Sequence, residues 1–132
     1  MVGKKNMVFG FVYFLASLLL GMYMAFLLDG ADAHVLTSEA RKAFRGAHAH
    51  ANLESLLNIF FGYLLCRLAI EAWVAKVASA LLIIGALLHS GMLILASLGL
   101  PGVLQIAPVG SLLLVAMMAL MAYGVLMTKQ ID

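Results

Sequence analysis

The chain has 132 residues, of which 65% are hydrophobic and 11% charged, with a formal net charge of +2. Soluble domains carry roughly 45–50% apolar and about 25% charged residues, and a fold this small has too little interior to hide the excess. A water-soluble globule is therefore excluded, the small scattered charge excludes a nucleic-acid binder, and lipid must solvate most side chains.

The first apolar run covers about residues 7–28. Lys4 and Lys5 precede it as they would a signal peptide. The run is too long for one and lacks a clear small-residue cleavage site, so it reads as a retained helix. Gly10, Ser17, Gly21 and Ala25 form a small-residue stripe along it, the pattern that lets helices approach closely in lipid. Residues 29–44 are the only long polar loop, with His34 at its surface and a short helix through Ala40–Phe44 that Thr37 or Ser38 would cap. The second run, at about 46–67, includes Cys66, a lone cysteine that rules out an intramolecular disulfide and reads as a small buried hydrophobe. A short turn near Arg67–Lys76 leads to the third run at about 73–98. Gly99-Leu100-Pro101-Gly102 then breaks the chain before the fourth, at about 107–127.

Each run can cross a hydrocarbon core ~30 Å thick, which takes ~20 helical residues, and lipid would leave irregular backbone unpaired. The expected fold is all-α: a four-helix transmembrane bundle in a single integral membrane domain over 1–132. Short links make the last three helices antiparallel neighbours. Lys4, Lys5, Arg67, Lys76 and Lys129 fall on one side and Arg41, Lys42 and Arg45 on the other. Both termini are accordingly expected in the cytoplasm, with a bacterial inner membrane as the expected location. Met22, Met24, Met117, Met118 and Met121 lie in apolar helices, where Met is normally core filler rather than a copper ligand.

An ionisable group at bilayer depth costs roughly 2.5–3.5 kcal/mol or more unless it is paired. The second run nonetheless carries His48, His50, Asn52, Glu54, Ser55 and Asn58. His50, Glu54, Asn58 and Gly62 recur every four residues and share one helical face, whereas Arg45, His48 and Asn52 share another. His48 and His50 lie ~200° apart around a helix and cannot both ligate one metal ion. His89, followed by Ser90 and Gly91, lies roughly two turns in from the outer end of the third run, at a depth close to that of Glu54. Packing these faces together brings His50, Glu54 and His89 into the outer half of the bundle. The bland alternative is that the groups satisfy one another, with Glu54 accepting from His89 and Asn58 bonding neighbouring backbone. His48, beside Arg45, is expected to face solvent or lipid headgroups.

The segment Gly46-Ala47-His48-Ala49-His50-Ala51-Asn52-Leu53 resembles a His-Ala-His-x-Asn-Leu motif of small four-helix proteins related to subunit I of haem–copper oxidases and nitric oxide reductases. Leu20-Gly21-Met22-Tyr23-Met24-Ala25 and, more weakly, Val109-Gly110-Ser111-Leu112-Leu113 extend the resemblance. The small relatives usually continue with Leu-Gly-Trp, where this chain has Glu54-Ser55-Leu56, and it lacks the later helices that supply the oxidases' other ligands. The resemblance implies a b-type haem with His50 as axial ligand. His89, another side chain or a second subunit would supply the opposite ligand, Glu54 and Asn58 would lie beside the haem, and Arg45 would neutralise a propionate. The implied function is electron transfer or gas-ligand sensing.

A second resemblance is to membrane glutathione transferases, through Arg45, Asn52 and Glu54 in the second helix and Ala86-Leu87-Leu88-His89-Ser90-Gly91 in the third. Its motif spacing differs: Asn52 and Glu54 are two apart instead of three. It implies an enzyme acting on lipophilic substrates. A structural or accessory subunit is the third reading, so whether the chain is an enzyme stays open. Membrane lipid is the expected surrounding, with a homo-oligomer or a partner membrane subunit as the expected assembly.

Overall fold

A computed structural model describes residues 2–29 and 38–128. The cap expected of Thr37, the loop position of His34 and the charge of Lys129 lie outside the described residues. Those residues are helical throughout apart from short turns, with no strand. Helix α1 is Val2–Asp29 and α2 is Ser38–Arg67. Helix α3, Ala72–Ala86, passes through a π-helical turn, Leu87–Gly91, directly into α4, Met92–Ser97, so the three form one rod. A 3-10 turn, Pro101–Ile106, leads into α5, Ala107–Met127. Four rods result.

The second rod starts earlier than expected. The short helix expected over 40–44 and the second span are one continuous helix from Ser38, because the Ala-rich stretch around Gly46 holds good helix formers that a single glycine does not interrupt. Thirty residues make α2 about 45 Å long.

Three stretches are long and apolar enough to cross a membrane: Val2–Phe26, Ala72–Ser97 and Pro101–Met127. The chain is thus membrane-associated. Helix α2 has the length, but its imidazoles, amides and carboxylate lower its hydropathy, and it turns many of them inward. Its buried stripe is Phe44, Ala47, Ala51, the adjacent pair Glu54 and Ser55, Asn58 and Gly62, three or four residues apart on either side of that pair. Helix α1 answers with Gly3, Gly10, Ser17 and Met24, buried seven residues apart. A repeat of seven keeps a seam facing one partner at a shallow crossing angle. α1 packs most extensively on α2, and α3 on α5.

Lipid offers helices little hydrophobic reason to associate, so contact has to come from close backbone approach and hydrogen bonds. A Cβ on Gly3 would strike the carbonyl oxygen of Gly62, and one on Gly62 that of Gly3. Across the other seam a Cβ on Gly110 of α5 would land on the backbone of Leu88 and His89 in the π turn. A smaller apolar core of Ala78, Leu82, Met117 and Met121 fills the space between α3 and α5. Met117, Met121 and Met24 are buried, whereas Met22 and Met118 face outward among Phe11, Leu15, Phe26, Leu112 and Leu126. Two expectations need correction. Ala25 is exposed because the buried positions run through Met24, and Cys66 is half-buried at the end of α2.

These contacts set a test. Gly110→Ala should destabilise the bundle by about 1–3 kcal/mol, as overpacking does against a wall that cannot move. Gly46→Ala, whose Cβ meets nothing within 4 Å, should be neutral or stabilise by up to about 1 kcal/mol. Thermal unfolding in detergent micelles reads both. Equal melting temperatures would show that the α5 seam yields freely.

Candidate functional site

Glu54 is buried where α2 meets the π turn. A carboxylate in such a place is tolerated when its oxygens accept hydrogen bonds. His89 Nδ1–H donates to Oε1 at 2.5 Å, and the Ser90 hydroxyl donates to Oε2 at 2.5 Å. Ser90 Oγ is also 2.8 Å from the Tyr13 hydroxyl of α1. With Ser90 donating to Glu54, Tyr13 is the donor to Ser90. The chain Tyr13–Ser90–Glu54–His89 thus ties three rods together. His89 and Ser90 are neighbours in sequence, yet each reaches a different oxygen of one carboxylate from the π-helical turn. Such single-turn bulges recur at functional sites.

His50 stands one turn before Glu54. Its ring meets the His89 ring edge-on, with centroids 4.7 Å apart and planes at 74°. One ligand atom each from His50, Glu54 and His89 can be chosen so that all three lie within 4.8 Å of one another. His89 is partly buried and His50 is exposed, at the rim of the α2 stripe. The structure therefore brings together His50, Glu54 and His89. His89 also forms part of a groove of about 550 Å³ whose other walls are Leu104, Ala107, Pro108, Ser111, Leu112 and Val115.

Asn58 and Arg45 belong elsewhere. Asn58 donates through Nδ2 to the Glu54 carbonyl (3.0 Å) and accepts through Oδ1 from Asn6 Nδ2 (3.1 Å). Asn6 Nδ2 also reaches the Ser79 carbonyl at 3.2 Å, and the Ser79 hydroxyl donates to Asn6 Oδ1 at 2.5 Å. Asn58 is thus a link in a fully buried amide node joining α1, α2 and α3, about one turn from the His–Glu cluster. Arg45 lines a groove with His48 against α1, on the other side of α2 from His89.

His48 needs a correction. It is half-buried between α1 and α2, with Nδ1 3.2 Å from Ser17 Oγ and Nε2 3.0 Å from Asn52 Nδ2. It is held there because Gly21 leaves room: a Cβ on Gly21 would collide with the imidazole. Asn6, Tyr13, Ser79 and Ser90 were not predicted as partners. Gly3, Asn6 and Gly10 do share the three-and-four spacing of a buried stripe, a readable signal for Asn6. No comparable pattern marks the π turn.

A haem held between His50 and His89 needs the two imidazoles on opposite faces of the iron, with ligating nitrogens about 4 Å apart in line through the metal. Edge-to-face rings in contact leave no slot for a porphyrin plane, so the bis-imidazole arrangement does not fit these residues. A bare metal ion, with bonds of about 2.0–2.2 Å, requires only that the donors close on one point.

Fold and site together define a polytopic helical membrane protein with a His–Glu–His cluster that runs from a buried carboxylate to an exposed imidazole at the rim of the bundle. Residues 3–132 match a family described as a domain of unknown function, DUF8059, and the chain belongs to that family. No curated protein and no solved structure matches it, so these comparisons lend nothing to either the oxidase or the transferase resemblance.

The amide node yields a prediction. Asn6→Leu and Asn58→Leu should each destabilise the bundle by about 1–3 kcal/mol, because each strands a buried partner. The double variant should cost less than the sum, since the two amides share one bond. A double-mutant cycle from detergent unfolding measures the coupling, and strict additivity would refute the node.

Proposed function

We propose that the chain is an integral membrane metalloprotein in which His50, Glu54 and His89 bind a divalent transition-metal ion. The observation that carries this reading is the convergence of two imidazoles and one carboxylate, from two rods, with ligand atoms within 4.8 Å. Two His and one carboxylate form the donor set of open Zn²⁺ sites and of non-haem Fe²⁺ sites. His50 and Glu54 are spaced to chelate from one helical face, and His89 completes the set from the π turn. In the metal-free state a proton occupies the place of the ion, on His89 Nδ1 against Glu54 Oε1. To admit the ion that pair gives up its proton and parts slightly, since two ligands of one ion stand about 3 Å apart, while the exposed His50 ring swings in to complete the set. Ser90 and Tyr13 keep the second carboxylate oxygen fixed. Three protein ligands leave coordination positions for a further molecule, and the apolar groove beside His89 offers it a route from the lipid.

In this reading α2 is the fourth membrane span, with its polar stripe shielded by α1, α3 and α4. Lys4, Lys5, Arg67 and Lys76 gather at one end, where the Arg67 guanidinium donates to the Tyr63 hydroxyl (3.2 Å) and Trp73 Nε1 donates to Glu71 (2.6 Å). Tyr and Trp mark a membrane interface and the Lys/Arg excess favours its cytoplasmic side, which supports the reading of cytoplasmic termini.

One observation favours a second reading. His50 is exposed and makes no hydrogen bond among the described residues, so it is available as the single axial ligand of a b-type haem seated on the outer face or between subunits.

Metal analysis and an optical spectrum of the purified protein separate the two. The first reading expects about one Zn²⁺ or Fe²⁺ per chain and no Soret band. His50→Ala, His89→Ala and Glu54→Gln should each lose it, and binding should weaken in acid because the ligands must shed protons. A Soret band that survives Glu54→Gln and vanishes in His50→Ala would replace the ion with haem. Neither metal nor haem, with unchanged assembly, would reject both.

A further inference from the structure

The opposite end of the bundle carries a feature the metal cluster does not use. Helices α1 and α3 both begin there, and between them runs a groove of about 460 Å³ lined by Val2, Lys5, Lys76, Ser79, Ala80 and Ile83. Lys5 and Lys76 come from different helices, are exposed, and have no carboxylate partner among the described residues. Two ammonium groups at the mouth of one groove repel each other unless an anion lies between them. The N-terminal ends of α1 and α3 add partial positive charge at the same place. Deeper in, Ala80 and Ile83 make the wall apolar.

We propose that this groove binds one anionic glycerophospholipid, with its phosphate between Lys5 and Lys76 and an acyl chain along Ala80 and Ile83. Lysines at a helix end ordinarily extend toward headgroups without preference among lipids. Here two of them line one groove with an apolar wall, so a charged headgroup and an acyl chain are recognised together. Basic pockets between membrane helices bind anionic headgroups by this combination. The site depends on the chain lying in a membrane and is independent of the metal cluster.

The test is native mass spectrometry of full-length protein released from nanodiscs of phosphatidylcholine and phosphatidylglycerol in equal parts. The wild type should retain one phosphatidylglycerol in preference to phosphatidylcholine. Lys5→Gln and Lys76→Gln should each reduce that preference about fivefold. Lys4→Gln removes the same charge from a residue outside the groove and should leave the preference intact. Ile83→Trp fills the apolar slot with both lysines in place and should also displace the lipid. An equal loss in Lys4→Gln would show diffuse attraction and overturn the proposal. So would retention in Ile83→Trp, or displacement of the lipid by millimolar inorganic phosphate, which would mark a free-anion site.

Discussion

A carboxylate placed between packed helices governs this structure. Removing an ion from water costs several kcal/mol even after relaxation, and lipid supplies nothing in return. Glu54 is therefore stable only where donors converge on both oxygens, and the sequence provides them from two other rods: His89 and Ser90 on the π turn, with Tyr13 of α1 behind Ser90. That requirement fixes the rotation of α2 about its own axis. Once Glu54 faces inward, Ala47, Ala51, Ser55 and Asn58 follow onto the same stripe. Their small or amide side chains let α1 close against them.

The polarity of a soluble fold is thereby partly reversed. Large apolar side chains such as Phe11, Phe26, Leu112 and Leu126 face outward, while the fully buried positions include Asn6, Ser17, Ser55, Asn58 and Ser90. Helices in lipid gain little by hiding hydrocarbon from hydrocarbon, so adhesion falls to hydrogen bonds and to glycine contacts. The Asn6–Asn58–Ser79 node and the Gly3–Gly62 contact hold one end of the bundle. The Glu54 network, about one turn further along α2, and the Gly110 contact tie in the π turn.

Much of this could be read in the chain, because the signals are local or periodic. Four helices follow from run lengths and from the break at Gly99–Gly102, and the meeting of Glu54 with His89 follows from equal depth on antiparallel neighbours. The errors have physical causes. Helix α2 runs back to Ser38 because the composition around Gly46 favours helix, whereas the expected boundary rested on polarity. His48 sits between helices because Gly21, twenty-seven positions away in sequence, leaves space for its ring. Asn58 turns from the cluster because Asn6, which lies before the expected start of the first run, is buried beside it. The π turn lies where Gly110 of α5 packs against the rod, a tertiary contact without a local pattern.

Whether the cluster is merely a satisfied buried carboxylate turns on His50. Glu54 already has partners on both oxygens, and His89 and Ser90 are accounted for by donating to it, so these three do not by themselves require a ligand. His50 contributes nothing to that balance. It lies against His89, and His89 is eight residues, or about 12 Å, from the end of its rod at Ser97. An imidazole with no hydrogen-bond partner among the described residues at such a depth is a cost with no structural return. His48, two residues away, shows how this fold treats an imidazole that only needs satisfying: it is drawn between helices and bonded at both nitrogens. His50 is left on the rim with no hydrogen bond among the described residues, against His89 and one turn from Glu54, and that contrast is what favours the proposed binding role over packing.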